Sequence, residues 1–331
     1  MEKGEISSQS NKCVFNFELP PNSNSRTKGR SSQVSNDASL SNENYSLNKL
    51  RSVTNCTFLW NHYHIKEFYE VIKHKCWAVF FTYGFFDQIE CSIYGLRFLV
   101  TVIARRNRHY AGTRYLKRGI SDDGNVANDV ETEQILEEVS TSCPDKPIIS
   151  SYVHIRGSVP IQWHQEHMKI ISLPSIVVNY SDIFFEKTKR HFYLLTKRYG
   201  TPIIVCNLTK KNKEESKQED LLNESFLAGV EFINSYGDLK ENNKIIYYHY
   251  DLKKERREIY FYRRFYEISY NLIGQTNMFT FIPYVRCNST YKLELQSGVI
   301  RSNCVDCLDR TNVFQQVIGT AVMVNQVNVY F

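Results

Sequence analysis

The distribution of apolar and polar positions divides the chain near residue 55. Residues 1–54 show no sustained apolar period, and the first fifty hold eleven serines and eight asparagines. Such a stretch buries too little surface to offset the entropy of ordering, so it is expected to be a disordered, low-complexity tail. Patterning begins near Cys56, where TNCTFLWNHYHIKEFYEVIKHKC mixes aromatics with helix-like spacing. From Ile89, IECSIYGLRFLVTVIARR reads as two β-rich runs joined at Tyr94-Gly95, a hairpin. AGTRYLKRG is a third run ending in the turn SDDGN, Glu131 to Val139 is expected to open a helix, and SYVHIRGSVPIQW is β-like up to Gly157.

Beyond Pro174 the text alternates. PIIVCNL suits a buried strand, KKNKEESKQED a solvated charged loop, SFLAGVEFINSYG a helix and KIIYYHYDL another strand. A long helix is expected from Lys253 to about Asn271, then aromatic strand text from Phe279 to Arg286, then GVIRSNC. After Arg310, apolar Val313, Val317, Ile318, Ala321 and Val322 share one helical stripe. Strand, helix, strand, helix, strand, loop, helix is the order of an α/β domain with a largely parallel sheet. The stretch RSNCVDCLDRTN, Arg301 to Asn312, falls where a strand hands over to a helix, the place where open α/β sheets hold ligands.

Composition narrows the setting. At 331 residues, with 42% hydrophobic residues, the chain holds material for a sizeable core. The longest apolar run, Trp77 to Phe86, is broken by Thr82 and Gly84 and falls short of the roughly 20 residues a spanning helix needs. No signal-peptide core opens the chain, and a cytosolic address is expected. Nine cysteines without a repeating spacing do not read as a disulfide framework. A net charge of +6 does not announce nucleic acid but suits a polyanionic ligand or an acidic membrane face.

Candidate chemistry concentrates in CVDCLDRT. Read as Cys-x5-Arg-Thr, Cys304 to Arg310 spans one tight loop between strand and helix. Such a loop turns backbone N–H groups inward and, with the positive helix end, receives a phosphate dianion. Arg310 grips two phosphate oxygens at once, and the same donors favour a thiolate on Cys304. Thiolate attack gives a phosphocysteine, an acid protonates the leaving alkoxide and water then hydrolyses the intermediate. Neither a metal nor another cofactor is called for, and Thr311 is expected to hydrogen-bond the sulfur. For the acid, Asp306 and Asp309 lie within the loop, Asp145 and Asp251 enter only if folding brings them near, and Asp306 is favoured. Cys304 and Cys307 also form a C-x-x-C pair, but a zinc site needs four ligands and no second pair is evident. Cys307 is read as a buried structural residue.

RSNCVDCLDRTN closely resembles the signature of the Sac-type phosphoinositide phosphatases, R-x-N-C-x-D-C-L-D-R-T-N, with every fixed position present. LVTVIARRNRHYAGTRYLKRGISDDGNVANDVETEQIL and YVHIRGSVPIQW resemble upstream blocks of that family in the right order. The wording VANDVETEQI, RGSVP and AGTRYLKRG is most similar to the branch that removes the 5-phosphate of phosphatidylinositol 3,5-bisphosphate. The resemblance implies a Sac-type α/β catalytic lobe, with a largely parallel central sheet and a Cys-x5-Arg phosphate loop, preceded by a truncated β-rich N-terminal lobe. It places the nucleophile on Cys304, the phosphate-gripping arginine on Arg310 and a proton-transfer aspartate on Asp306. Asn303, Val305, Cys307, Leu308, Asp309 and Thr311 complete the implied phosphate cradle, and Lys117, Arg118 and Arg156 are candidate headgroup contacts. A phosphoinositide at an endosomal or vacuolar membrane is the implied partner, with a scaffold protein and a phosphoinositide kinase in one complex. Two other readings stay open: a broader Sac phosphatase acting on phosphatidylinositol monophosphates, and a catalytically silent scaffold.

The expected organisation is thus a tail over residues 1–54, a remnant of the N-terminal lobe over 55–76 and a catalytic domain over 77–331, cut at its C-terminus. Glu131 and Glu133 are expected to support a helix N-terminus. KKERREIYFYRR, from Lys253 to Arg264, is read as a helix packed by its aromatic face, with an anionic membrane surface as the other reading.

Overall fold

The apolar runs PIIVCNL and GVIRSNC become adjacent parallel strands in the middle of a nine-stranded sheet. The computed structural model describes residues 57–72, 79–113, 116–140, 147–166, 174–211, 217–236, 244–283 and 291–331. The tail expected over 1–54 and the acid candidate Asp145 lie outside these residues. The chain divides into two units, Met1–Tyr83 and Gly84–Phe331. In the first, α1 (His62–Ile72) follows Asn61, whose side chain donates to the Val79 carbonyl at 2.8 Å and accepts from the Phe81 N–H at 2.9 Å.

The second unit opens with an antiparallel meander: β1 (Gly84–Ile93), β2 (Leu96–Arg106), β3 (Val130–Glu138) and β4 (Ile149–Gly157). The hairpin at Tyr94-Gly95 stands as expected, both residues taking the left-handed backbone such a turn requires. The helix expected from Glu131 is instead strand β3. Its charges carry the reason, because Glu131 and Glu133 repeat every two residues and both meet Arg105 of β2, at 3.1 and 2.7 Å. Cross-strand partners on either side outweigh the helix-favouring composition.

Next come the short hairpin β5 (Trp163–Glu166) and β6 (Ser175–Val178), then α2 (Glu186–Tyr199), β7 (Ile203–Asn207), α3 (Lys217–Tyr236) and β8 (Ile246–His249). After β8 the chain forms α4 (Leu252–Glu255), α5 (Phe261–Thr276), β9 (Phe279–Ile282) and β10 (Lys292–Glu294). β11 (Val299–Asn303) and α6 (Asp309–Asn328) follow. The sheet order is β1-β2-β3-β4-β11-β7-β8, with β9 pairing β4 and β10 pairing β9. β4, β11, β7 and β8 run parallel, so the sheet is parallel where the Cys304 loop leaves it.

Helices cover both faces of that parallel part. Ile204, Cys206 and Ile300 pack with Phe265 of α5 and with Phe314, Ile318 and Ala321 of α6. Ile203, Val205 and Val299, the alternate positions, pack with Phe192 and Leu195 of α2 and Phe226 of α3. Of the stripe expected on the last helix, Val317, Ile318, Ala321 and Val322 are buried, and Val313 is half-buried against the same core. One long helix from Lys253 is not formed: Leu252 and Phe261 both enter the core, and the chain between them turns rather than continuing helically. Among the described residues, no helix is long and apolar enough to cross a membrane.

Candidate active site

The strand before the loop carries an arginine where an apolar residue would be expected. Arg301, in β11, is fully buried and satisfied by neutral acceptors: Nε donates to His191 Nε2 at 3.1 Å, Nη1 to Asn303 Oδ1 at 2.9 Å and Nη2 to the Ser158 carbonyl at 2.7 Å. Accepting at Nε2, His191 presents its Nδ1 proton to the Gly124 carbonyl at 3.0 Å. Burial, then the Arg301 charge, holds His191 well below the usual imidazole value, and burial lowers Arg301 to about 10. Asn303 continues the chain of bonds to Asn207, whose Nδ2 meets Asn223 and Tyr247, each at 2.8 Å. This network fixes the end of β11 immediately before Cys304.

The loop then turns tightly. Cys307 has φ +53°, a left-handed conformation that a non-glycine residue adopts only where its surroundings enforce it. The turn brings the Cys307 N–H to 3.0 Å from Cys304 Sγ, while the Cys307 thiol donates to the Cys304 carbonyl at 3.3 Å. The Val305 and Cys307 carbonyls are each held by an arginine. Arg118 Nη1 donates to the Val305 carbonyl at 2.9 Å, its Nη2 meets Asp306 Oδ1 and its Nε meets Gln165 Oε1 at 2.8 Å. Arg156 Nη1 donates to the Cys307 carbonyl at 2.6 Å. On the sulfur side the N–H groups of Cys307 and Leu308 meet Cys304, the beginning of an anion-binding nest.

Gly119 makes the position of Arg118 attainable. It has φ +63°, and a Cβ there would lie 2.5 Å from the Ile161 carbonyl oxygen, so the chain passes this point only as glycine.

Arg310, in the first turn of α6, is held from the far side. Nη1 donates to Glu219 Oε2 at 2.7 Å and to the Leu208 carbonyl at 3.1 Å, and Nη2 reaches Glu219 Oε1 at 3.4 Å. Glu219 also accepts from the Lys210 N–H at 2.9 Å. The Cys304 thiol is held below its usual range by the neighbouring Cys307 thiol first, then by the Arg310 charge and the N–H groups of Cys307 and Leu308, against burial that pushes it up. Burial raises Cys307 and Cys206 well above the usual thiol range. Of the three thiols, only Cys304 is lowered, the direction that favours a thiolate.

The sequence-derived candidates fall into distinct places. Cys304, Val305, Asp306, Cys307, Leu308, Asp309 and Arg310 form one strand-to-helix loop, as expected. Thr311 departs from expectation: its hydroxyl donates to the Leu308 carbonyl at 3.1 Å, closing the first turn of α6 rather than meeting the sulfur. Asp309 begins α6 with its side chain exposed. Asp251 accepts from the Lys254 and Lys211 N–H groups, at 3.1 and 3.0 Å, and serves as the cap of α4. Lys117 is exposed, with Nζ 4.8 Å from the centre of the Tyr110 ring. Arg118 and Arg156, read from sequence as facing a headgroup, hold carbonyls of the loop. Glu219 went unnoticed because it sits in a charged run that reads as solvated; it belongs to the first turn of α3. Among the described residues, no group of three or more His, Cys, Asp or Glu side chains is placed to hold a metal ion.

Comparison with known proteins joins this geometry to a family. The SacI homology domain model matches residues 12–257, ending before the Cys304 loop. A polyphosphoinositide phosphatase of Schizosaccharomyces pombe is 37% identical over 278 residues, covering 81% of this chain and 32% of that protein. Phosphoinositide phosphatase SAC5 of Arabidopsis thaliana is 37% identical over 304 residues, covering 82% of this chain and 38% of its own length. Phosphatidylinositol-3-phosphatase SAC1 of the same plant is 34% identical over 338 residues, covering 82% of this chain and 36% of its own. The chain therefore spans about a third of the length of these relatives.

Proposed function

We propose that this chain, which belongs to the SacI homology domain family, hydrolyses a phosphate monoester of a phosphoinositide through a phosphocysteine intermediate. The observation that carries the proposal is the Cys304 sulfur: buried, set against the Cys307 N–H at 3.0 Å and held below the usual thiol range in part by Arg310. A lowered thiol in a nest of N–H groups suits attack on a phosphate dianion, because the same donors that favour the thiolate also attract the phosphate oxygens.

Each residue then has a step. Cys304 Sγ forms the bond to phosphorus while the bond to the inositol oxygen breaks, and that oxygen takes up a proton. Asp306 is the proposed proton carrier, and its pairing with the buried Arg118 fixes where its carboxyl lies. Arg310 and the loop N–H groups from Val305 to Thr311 neutralise the equatorial oxygens as charge builds on them. Water then cleaves the sulfur–phosphorus bond, releasing phosphate and restoring the thiolate. Glu219 and the Leu208 carbonyl hold the terminal nitrogens of Arg310; among the described residues, no hydrogen bond uses its Nε.

The favoured substrate is phosphatidylinositol 3,5-bisphosphate, cleaved at the 5-phosphate, on the wording of AGTRYLKRG, VANDVETEQI and RGSVP. The matching phosphatidylinositol-3-phosphatase favours a second reading, hydrolysis of a monophosphate. An endosomal or vacuolar membrane, and a complex with a scaffold protein and a lipid kinase, belong to the same proposal. Incubating the chain with short-chain phosphoinositide isomers and measuring released phosphate tests it. Preferential loss of the 5-phosphate from the 3,5-bisphosphate supports the first substrate, faster turnover of a monophosphate the second, and no turnover by folded protein rejects both.

A further inference from the structure

The parallel strands end in register. Gly157 of β4 pairs with Asn303 of β11, Asn303 with Asn207 of β7, and Asn207 with His249 of β8. Whatever follows β11 and β8 therefore leaves from one edge of the sheet. After β11 comes the Cys304 loop; after β8, two strands or roughly 10 Å along that edge, comes the segment from Asp251 to Arg264. The end of β7 ties the two together, since the Leu208 carbonyl accepts from Arg310 and the Lys211 N–H donates to Asp251 at 3.0 Å.

This segment is built inside out. Leu252, Phe261 and Phe265 plunge into the core and anchor it. Between and beside these anchors, Ile259 is 92% exposed, Tyr260 73% and Tyr262 60%. A lone exposed apolar residue needs no explanation, but three within four positions on an anchored turn do. Cations surround them. Arg264 pairs with Glu255 at 2.6 Å and Arg263 with Glu267 at 3.3 Å. Lys253, Lys254, Arg256 and Arg257 are exposed and enter no ion pair among the described residues, and Glu258, directly after them, is the one exposed carboxylate of residues 253–264. Leu308, in the Cys304 loop itself, is also exposed.

We propose that residues 253–264 are a membrane-docking element that seats this sheet edge on an anionic bilayer, with Ile259, Tyr260 and Tyr262 entering the interface and the four unpaired cations lying among the headgroups. Charge and shape choose the occupant. Tyrosines prefer the level of the headgroups, a protruding isoleucine contributes apolar burial beneath them, and cations gain from an anionic leaflet. The choice of edge rests on the phosphatase reading: a phosphoinositide offers its phosphate only at a bilayer surface, so the face that holds Cys304 must turn toward that surface. The element then acts as a second foot beside the site.

The test uses the full chain and vesicles free of phosphoinositide, so that docking is judged apart from catalysis. Sedimentation with extruded vesicles of phosphatidylcholine, with and without phosphatidylserine, should show binding to the anionic vesicles that weakens as salt rises. Arg256→Gln with Arg257→Gln should lower that partition about fivefold for each cation removed. Ile259→Ser with Tyr260→Ser and Tyr262→Ser should also lower it, by about tenfold or more. Both variants should keep wild-type turnover of a soluble short-chain phosphoinositide. Ile259→Trp provides a second measurement: its emission should shift to the blue when phosphatidylserine vesicles are added. Wild-type failure to bind anionic vesicles, equal binding by the variants, or an indole emission unmoved while the protein sediments would overturn the proposal, the last leaving the patch for a protein partner. Absence of short-chain turnover in wild type would reject the phosphatase reading and leave the sedimentation result standing.

Discussion

Glu219 Oε2 accepts a hydrogen bond from Arg310 Nη1 at 2.7 Å, joining the first turn of α3 to the first turn of α6 beneath the Cys304 loop. An arginine side chain has long rotamer freedom, and a bidentate phosphate grip requires its plane to be set beforehand. Glu219 sets that plane. Glu219→Ala should lower kcat/KM for a short-chain phosphoinositide roughly ten- to a hundredfold, with Glu219→Gln losing less because it keeps an acceptor. Steady-state kinetics checks this; an unchanged kcat/KM would leave the Leu208 carbonyl as sufficient support.

The Cys304 thiol should be alkylated by iodoacetamide with a pH midpoint below the ordinary ~8.5 of a free thiol. Arg310→Ala removes a neighbouring positive charge, so the midpoint should rise. Cys307→Ala removes the neighbouring side-chain donor that contributes most to the lowering, so the midpoint should rise there too. Cys206, pushed up by burial, should remain unmodified in the native state. Peptide mass spectrometry resolves these sites.

Arg118→Leu should do more than remove a surface charge. It leaves the Val305 carbonyl and the Asp306 carboxylate without the donor that now meets them, at a cost of about 3 kcal/mol. Urea denaturation measures that loss. The alkylation midpoint of Cys304 should rise with it, since Arg118 holds the Val305 carbonyl and with it the loop whose N–H groups meet the sulfur.

Acid should destabilise the fold through two buried histidines. His154 is lowered to about 4 by burial and then by Arg156, and His191 is lowered by burial and Arg301. Because the unfolded state binds the protons these rings refuse, stability is full above about 6.5 and is lost as pH falls toward the folded value. Each histidine adds a slope of about 1.4 kcal/mol per pH unit in that window. Replacing His154 by Gln should narrow the gap between the urea midpoints at neutral and mildly acid pH, with the His191 share remaining.

Much of this was legible in local sequence. The buried strand at Ile203–Asn207, the loop from Cys304 and the stripe on α6 follow from apolar period and from residue types at fixed offsets. What escaped depends on partners far along the chain. Val130–Glu138 is a strand because Arg105 of β2 meets its alternate glutamates, and no window around Glu131 contains that arginine. Glu219 looks solvated until α3 is packed beside α6. Arg118 meets Asp306 across 188 positions, and local text makes it one basic residue among several. Even so, an arginine inside the apolar strand GVIRSNC is a signal that could have marked Arg301 as buried and structural.

The most direct measurement is phosphate release from short-chain phosphatidylinositol 3,5-bisphosphate in EDTA and excess reductant by wild type, Cys304→Ser and Arg310→Ala, with quenched samples digested to find phosphate on the Cys304 peptide. Turnover that survives chelation, vanishes in Cys304→Ser, falls about a thousandfold or more in Arg310→Ala and leaves phosphate on Cys304 is the predicted result. Turnover that persists in Cys304→Ser would contradict the thiolate mechanism.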